Sequence, residues 1–316
     1  MNDVVIGPDY APAPETLVRP GVPVGRVHAF TMQSRDSRIY PGIRRLENEI
    51  TKRRDAFGNR IAAAAHEQSE AAPYTRTVWV YVPAQYVPGT AAPFMVVQDG
   101  YYYVNRLPRV LDNLIADQRV PAMVAILVDS GGGDAQGSQR GLEYDTLSGR
   151  YSDFIETEVL PHVVAETGVT LTDDPSGRAT MGVSSGAACA FTMVWFHPER
   201  YRRVLSYSGT YVNQQSPVDP AHPRGAWEYH ATLIPAAARK PLRIWLEVGE
   251  KDLHHDDPEE TWHNWPLANQ RMAAALKAKG YDYRFTFSRG GRHADPRVVE
   301  QTLPGALEWL WADYLR

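Results

Sequence analysis

The chain has 316 residues, of which 43% are hydrophobic and 22% charged, and its formal net charge is −4 at pH 7. This composition is ordinary for a globular protein, and the acidic balance gives no reason to expect nucleic acid or an anionic membrane surface as a partner. No apolar run approaches the roughly 20 residues that span a bilayer, no signal-peptide pattern opens the sequence, and the single cysteine, Cys189, has no internal disulfide partner, so we expect a cytoplasmic protein.

The first third of the chain predicts an arm, two strands and an insertion between them. Residues 1–22 are rich in proline and without periodicity, which indicates an extended arm. Residues 24–34 alternate loosely, and residues 77–82 have the β-branched and aromatic composition of a strand. Between these two strands, residues 43–73 are polar and favour helix, so they predict a helical insertion. It is either a solvated helix or a lid or dimer contact.

From residue 93 onward, short apolar strands alternate with helical stretches. The predicted strands are 94–98, 122–128, 179–183, 204–207, 242–248 and 283–287, and the predicted helices are 107–118, 151–166, 187–195, 267–279 and 298–315. Apolar runs, in place of strict alternation, are typical of parallel strands that are buried on both faces. We therefore predict one α/β domain over residues 1–316, with N-terminal antiparallel strands, a mostly parallel central sheet and helices on both faces.

A G-x-S-x-G pentapeptide at residues 182–186 is the most informative motif. A short apolar strand leads into it and an amphipathic stretch follows it, which is the context of the nucleophile elbow in α/β-hydrolases. A serine on that sharp turn projects its hydroxyl above the sheet, so Ser184 is the predicted nucleophile. The amide of Ser185, at the helix N-terminus, is the predicted oxyanion donor.

The order of residues after the serine predicts a catalytic triad. Asp252 comes just after the strand at 242–248, and His293 follows the strand at 283–287 and a pair of glycines. In this fold the acid follows a late strand and the histidine lies on a loop near the C-terminus. We therefore predict His293 as the general base and Asp252 as the group that orients its imidazole.

Other residues in the same region leave alternatives open. Asp256 and Asp257 follow the same strand as Asp252 and are alternative acids. Six more histidines follow the serine, but none has the context of a strand and a glycine loop; they are His197, His222, His230, His254, His255 and His263. The side chains at 254–257 are of types that suit zinc. Adjacent loop residues rarely point at one ion, so we predict no metal and no cofactor.

The loop after the strand at 94–98 is expected to supply a second oxyanion donor. The amide of Tyr101 is the first candidate and that of Gly100 the second. Three successive tyrosines, 101–103, either grip an aromatic or sugar-like acyl group or pack on the adjacent helix. We predict Tyr102 and Trp265 as substrate-binding side chains, because aromatic rings offer stacking surfaces.

Several further motifs occur in one order along the chain. They include Val97-Gln-Asp-Gly100, Arg140-Gly-Leu-Glu-Tyr144, Tyr151-Ser-Asp-Phe154, Glu158-Val-Leu-Pro161 and Gly290-Gly-Arg-His293. With them the chain resembles the enterochelin-esterase-like branch of the esterase D superfamily, which is related to feruloyl and acetyl-xylan esterases. The resemblance implies a carboxylic-ester hydrolase with a serine triad on Ser184, Asp252 and His293 and no metal. It also implies that Arg140 and Glu143 are a structural pair near the site.

The leading hypothesis is hydrolysis of a small-molecule carboxylic ester through an acyl-enzyme, by a monomer or a homodimer. Acyl transfer on the same triad and a catalytically silent binding protein are the alternatives. An anionic catecholate siderophore would require several cationic side chains at the site. The candidates are Arg106, Arg109, Arg292 and Arg297. A neutral aryl or sugar ester would instead use the tyrosines and Trp262 or Trp265.

Overall fold

The computed structural model describes residues 2–62, 66–131, 139–215 and 217–314. Across these ranges, nine strands form one sheet in the order β1-β13-β12-β11-β10-β7-β8-β5-β2, and two small sheets pair β3 with β4 and β6 with β9. The strands are β1 (Asp3–Ile6), β2 (Arg26–Gln33), β3 (Ile43–Leu46), β4 (Gln68–Ala71), β5 (Thr75–Val82), β6 (Ala91–Ala92), β7 (Phe94–Gln98), β8 (Val124–Val128), β9 (Thr170–Leu171), β10 (Arg178–Val183), β11 (Arg203–Tyr207), β12 (Arg243–Lys251) and β13 (Asp282–Arg292).

Most of the large sheet is parallel. From β1 to β8 every neighbouring pair runs in the same direction, whereas β5 is antiparallel to both β8 and β2. The helices are α1 (Gly100–Tyr103), α2 (Leu107–Ala116), α3 (Gln139–Tyr144), α4 (Arg150–Phe154), α5 (Leu160–Thr167), α6 (Ser185–Phe196), α7 (Ile234–Ala236), α8 (Trp265–Ala278) and α9 (Pro296–Trp311). A π-helical turn, Ile155–Val159, joins α4 to α5.

Helices cover the sheet on both faces because its strands present apolar side chains in both directions. On β7, Met95 and Val97 pack with α2 and α9, whereas Val96 belongs to the core formed with α5, α6 and α8. Every residue of β7 and of β8 is buried. The predicted α/β fold with a mostly parallel sheet is confirmed. No helix in the described ranges is long and apolar enough to cross a membrane.

The N-terminal arm is tied to the sheet and to the helices. Its first residues form β1, which pairs in parallel with β13 at the sheet edge. Further along, the Asn113 side-chain amide donates to the backbone carbonyls of Glu15 and Leu17, at 2.8 and 3.0 Å. The amide of Ala13 also donates to the Glu300 carbonyl. The expected extended arm is therefore extended, but it adds an edge strand that a proline-rich stretch did not reveal.

The insertion between β2 and β5 is a β-hairpin in its described residues, so the predicted helix at 43–73 is wrong there. Strand β3 pairs antiparallel with β4, and Arg54 and Arg60 form an isolated bridge between them. The Asp55 carboxylate accepts bonds from the amides of Phe57 and Asn59, at 2.8 and 2.9 Å. Such bonds from side chain to backbone favour turns over helix. We call residues 43–62 and 66–71 the excursion.

Candidate active site

Ser184 lies on a strained turn between β10 and α6. Its φ and ψ are 57° and −127°, a combination that non-glycine residues rarely adopt. Backbone strain of this kind is concentrated at functional sites. The turn is so tight that a Cβ on Gly182 would lie 2.3 Å from the backbone of Gly186. The Ser184 hydroxyl therefore stands at the carboxyl edge of the sheet, where ligands of open α/β sheets bind.

Thr210 and Trp265 connect the serine to the histidine. The Ser184 and Thr210 hydroxyl oxygens lie 3.3 Å apart, and the Thr210 amide donates to the Ser184 carbonyl. The Trp265 indole donates to Thr210 Oγ1 at 3.3 Å. Its ring meets the His293 ring edge-on, with centroids 6.2 Å apart. Ser184 and His293 thus border the same small cluster of side chains.

His293 is held by a buried carboxylate. Its Nδ1 lies 2.5 Å from Asp252 Oδ1, and Asp252 is only 1% exposed. The loop is fixed on both sides of Ala294, whose amide donates to Ser208 Oγ at 2.9 Å and whose carbonyl accepts from the Tyr102 hydroxyl at 2.8 Å. Because Nδ1 faces Asp252, Nε2 is the ring nitrogen left for proton transfer.

The alternative acids lie with other histidines. Asp257 contacts His254 Nδ1 at 2.9 Å, and Asp256 contacts His255 at 3.2 Å. Each pair is a separate local contact in an exposed loop. Among the residues that the structure describes, no group of three or more histidine, cysteine, aspartate or glutamate side chains converges as a metal site.

The two candidate oxyanion amides differ in their surroundings. The amide of Ser185 is at the N-terminus of α6. The buried Ser185 hydroxyl accepts a hydrogen bond from the Gln214 side-chain amide at 3.1 Å. The amide of Tyr101, in the first turn of α1, donates to Asp129 Oδ1 at 2.9 Å. Burial raises the pKa of the Asp129 carboxyl. A substrate oxygen could use the Tyr101 amide only after this carboxylate gives way.

Arg140 and Glu143 do not pair with each other. Arg140 binds the Asp99 carboxylate at 2.8 Å, whereas Glu143 binds the buried Arg76 at 2.6 Å. Asp99 is the residue before α1, and burial raises its pKa although the Arg140 guanidinium opposes the shift. The expected structural pair is therefore two ion pairs, and the one on Arg140 supports the turn that carries Tyr101.

The aromatic residues expected to bind substrate have other contacts. Trp265 is 3% exposed and packs between the rings of His254 and His293. Tyr102 is half-buried, and its hydroxyl holds the histidine loop. The structure gives both of these residues a packing and positioning role. Tyr101, with 63% of its surface exposed, is the tyrosine whose ring faces solvent.

Sequence reasoning missed Thr210, Asp129 and Gln214. Thr210 comes three residues after the end of β11, and Asp129 comes directly after the end of β8. Polar residues at the carboxyl ends of parallel strands lie at the ligand-binding edge, and this signal could have marked both. Gln214 lies farther along the same segment as Thr210, and no sequence pattern marks it.

A family model matches most of the chain. The model, named Esterase and described as "Putative esterase", matches residues 69–309. No curated protein sequence matches the chain.

The solved structures that resemble this fold include esterases of two kinds. One is the enterobactin esterase from Shigella flexneri, with a TM-score of 0.57 and 22% identity over 77% of this chain and 57% of that one. A ferulic acid esterase has a TM-score of 0.60 and 14% identity over 92% of this chain and 99% of that one. The feruloyl esterase module from Clostridium thermocellum has a TM-score of 0.54 and 16% identity, over 96% and 93%. At these identities, the similarity shows a shared fold, and the chain spans little more than half of the Shigella enzyme.

Proposed function

Because the chain belongs to the Esterase family, we propose that it is a carboxylic-ester hydrolase that works through an acyl-enzyme formed on Ser184. The observation that carries this proposal is the contact of 2.5 Å between His293 Nδ1 and Asp252 Oδ1, together with a serine on a strained turn that borders the same cluster of Thr210 and Trp265 as His293. A carboxylate on Nδ1 holds the imidazole in the tautomer that can accept a proton at Nε2.

The proposed reaction has two halves. In the first, His293 Nε2 takes the hydroxyl proton of Ser184 while Oγ attacks the ester carbonyl carbon. Collapse of the tetrahedral intermediate breaks the bond to the alcohol oxygen, which receives that proton from His293. In the second half, the same imidazole takes a proton from water while the water oxygen attacks the acyl carbonyl carbon. Collapse of this intermediate breaks the bond to Ser184 Oγ, which receives the proton from His293, and the acid is released. The Asp252 carboxylate stabilises the imidazolium that forms in both halves.

We also propose that the amides of Ser185 and Tyr101 bind the oxyanion. The Ser185 amide is supported by its place at the start of a twelve-residue helix, where backbone N–H groups favour negative charge. The Tyr101 amide lies in the first turn of α1, directly after β7. This amide donates to the Asp129 carboxylate, so binding of the substrate oxygen would displace the carboxylate from it.

The proposed substrate is an aryl ester, with a sugar or siderophore-type ester as the alternatives. The exposed ring of Tyr101 beside the candidate site supports an aromatic substrate group. The structures of similar fold include enzymes named for feruloyl esters and for enterobactin. Turnover of 4-nitrophenyl acetate, methyl ferulate and a catecholate trilactone, measured side by side, would distinguish these substrate classes.

Replacement of the nucleophile tests the mechanism. We expect Ser184→Ala to lower kcat on 4-nitrophenyl acetate by roughly four to six orders of magnitude, since only oxyanion and binding effects remain. Ser69→Ala, at an exposed position of β4, is the control and should keep wild-type turnover. An organophosphonate should label the wild-type protein but not the Ser184 variant. Undiminished turnover in Ser184→Ala would overturn the acyl-enzyme.

A further inference from the structure

The tip of the excursion, residues 55–61, is anchored next to the candidate active site. Asn59 is only 2% exposed, and its side-chain carbonyl accepts a bond from the Asn213 amide at 2.9 Å. Asp55 holds Asn59 from the other side, through the Asn59 backbone amide at 2.9 Å and its side-chain amide at 3.0 Å. A buried amide with satisfied bonds on two sides fixes the orientation of the tip.

Asn213 belongs to a segment that contacts the nucleophile and its neighbour. In that segment, residues 210–214, Thr210 contacts the Ser184 hydroxyl at 3.3 Å and Gln214 donates to the Ser185 hydroxyl at 3.1 Å. The tip of the excursion therefore docks on the same short segment that lies against the elbow.

A row of rings leads from this docking point to the proposed general base. The ring Nε2 of His263 donates to the Asn213 carbonyl at 2.7 Å. His263 lies 6.1 Å from the ring of His254, and His254 stacks on Trp265, whose ring meets that of His293. The docked tip and the base thus border one continuous cluster.

Two apolar side chains flank the buried anchor and face solvent. Phe57 is 50% exposed and Ile61 is 55% exposed, each two residues from Asn59. We propose that this tip is the wall of the ester site that determines substrate size and polarity, with Asn59 as the positioning residue and Phe57 and Ile61 as contacts for the apolar group of a bulky ester. The proposal rests on the acyl-enzyme function, because it requires the ester carbonyl to lie at Ser184.

The test compares two esters with the same leaving group, 4-nitrophenyl acetate and 4-nitrophenyl ferulate. In the double variant Phe57→Ala/Ile61→Ala, kcat/KM for the ferulate ester should fall about tenfold or more. The fall should come mainly from a higher KM, because the tip loses apolar contacts with the ferulate group. The acetate ester is too short to reach the wall and should keep its wild-type kcat/KM. Val87→Ala, which removes an apolar side chain of similar exposure (60%) outside this cluster, is the matched control.

Asn59→Ala should lower the ferulate-to-acetate ratio in the same direction, by releasing the tip. An unchanged ferulate-to-acetate ratio of kcat/KM in the double variant, which includes equal losses on both esters, would overturn the proposed role of the tip. The double variant changes only exposed side chains, so it tests the proposal even if Asn59→Ala does not fold. The acyl-enzyme is tested separately: it fails if the wild-type protein hydrolyses neither ester, whereas the wall fails only through the ratio.

Discussion

Asp129 is the residue whose position bears most directly on the proposed chemistry. Its carboxylate accepts the Tyr101 amide at 2.9 Å, at the point where a second oxyanion donor is expected. A carboxylate on a backbone amide is a charge-assisted hydrogen bond, stronger than a neutral one. It therefore competes with the oxyanion of the transition state for the same donor, which would reduce the catalytic benefit of that amide.

Removal of this carboxylate should raise activity. We expect Asp129→Ala to increase kcat/KM on 4-nitrophenyl acetate by about ten- to a hundredfold, since displacing a hydrogen bond to a charged group costs on the order of 1.5–3 kcal/mol. Asp129→Asn keeps a neutral acceptor and should give a smaller increase. Steady-state kinetics of the two variants and the wild type measure this. A fall in activity in Asp129→Ala would mean that the carboxylate supports the site.

The acid of the proposed triad is tested by paired amide substitutions. Asp252→Asn should lower kcat by about a hundred- to ten-thousand-fold, because the imidazole loses the anion that orients it. Asp256→Asn should have nearly wild-type kcat, since Asp256 contacts His255 and not His293. The reverse pattern, with Asp256→Asn impaired and Asp252→Asn active, would reassign the acid.

Among the elements, the junction of β10 with α6 has the strictest steric requirement. The strand and the helix approach so closely at Gly182 that an added Cβ would clash with the backbone of Gly186 and with the Ala187 amide, at 2.3 to 2.7 Å. Backbone atoms cannot rotate away as a flexible side chain can. The turn that strains Ser184 therefore depends on this glycine as well as on the serine.

Glycine substitutions in β10 and in α9 test this requirement. Gly182→Ala should lower the free energy of unfolding by about 3 kcal/mol or more, as overpacking against rigid atoms does. Gly305→Ala in α9 should instead raise it by about 1 kcal/mol, because a Cβ there meets nothing within 4 Å and alanine favours helix. Urea unfolding of both variants gives the two values. A Gly182→Ala protein as stable as the wild type would contradict the packing argument.

On the scale of the whole molecule, two buried carboxyl groups affect stability in the same direction. Burial raises the pKa of Glu247 from 4.5 to about 8 and that of Asp145 to about 7. Between the ordinary and the raised pKa, the folded state keeps a proton that the unfolded chain has lost. The unfolded state then binds fewer protons, so the free energy of unfolding falls as the pH rises through this range.

Glu247→Gln tests this linkage. The wild-type protein should have a lower Tm at pH 8 than at pH 5, and Glu247→Gln should reduce that difference, since a neutral amide has no proton to lose. The substituted side chain can still accept the bond that Ser288 Oγ donates to Glu247 at 2.7 Å. Glu49→Gln, at a side chain 93% exposed, should leave the pH dependence unchanged. An equal slope in the wild type and Glu247→Gln would contradict the proposed neutral Glu247.

The sequence by itself determined the layers of this protein. Apolar runs such as those of β7 and β8 are buried on both faces, and the patterns of α2 and α9 supply the helices that cover one of these faces. Hydrophobic periodicity is a local property, so it can be read without knowledge of distant contacts. The G-x-S-x-G motif is likewise local, because a side chain at Gly182 would clash with backbone atoms no more than five residues away.

Only the tertiary structure decided which side chains meet at the carboxyl edge of the sheet. Asp129 on the Tyr101 amide, Thr210 beside Ser184, and the docking of Asn59 on Asn213 join residues 26 to 154 positions apart. The helix predicted for the excursion is wrong for the same reason, since its turn at Asp55 and its docking on Asn213 outweigh helix propensity. Side-chain bonds between distant segments leave no periodic trace in the sequence, and packing overrides weak local preferences.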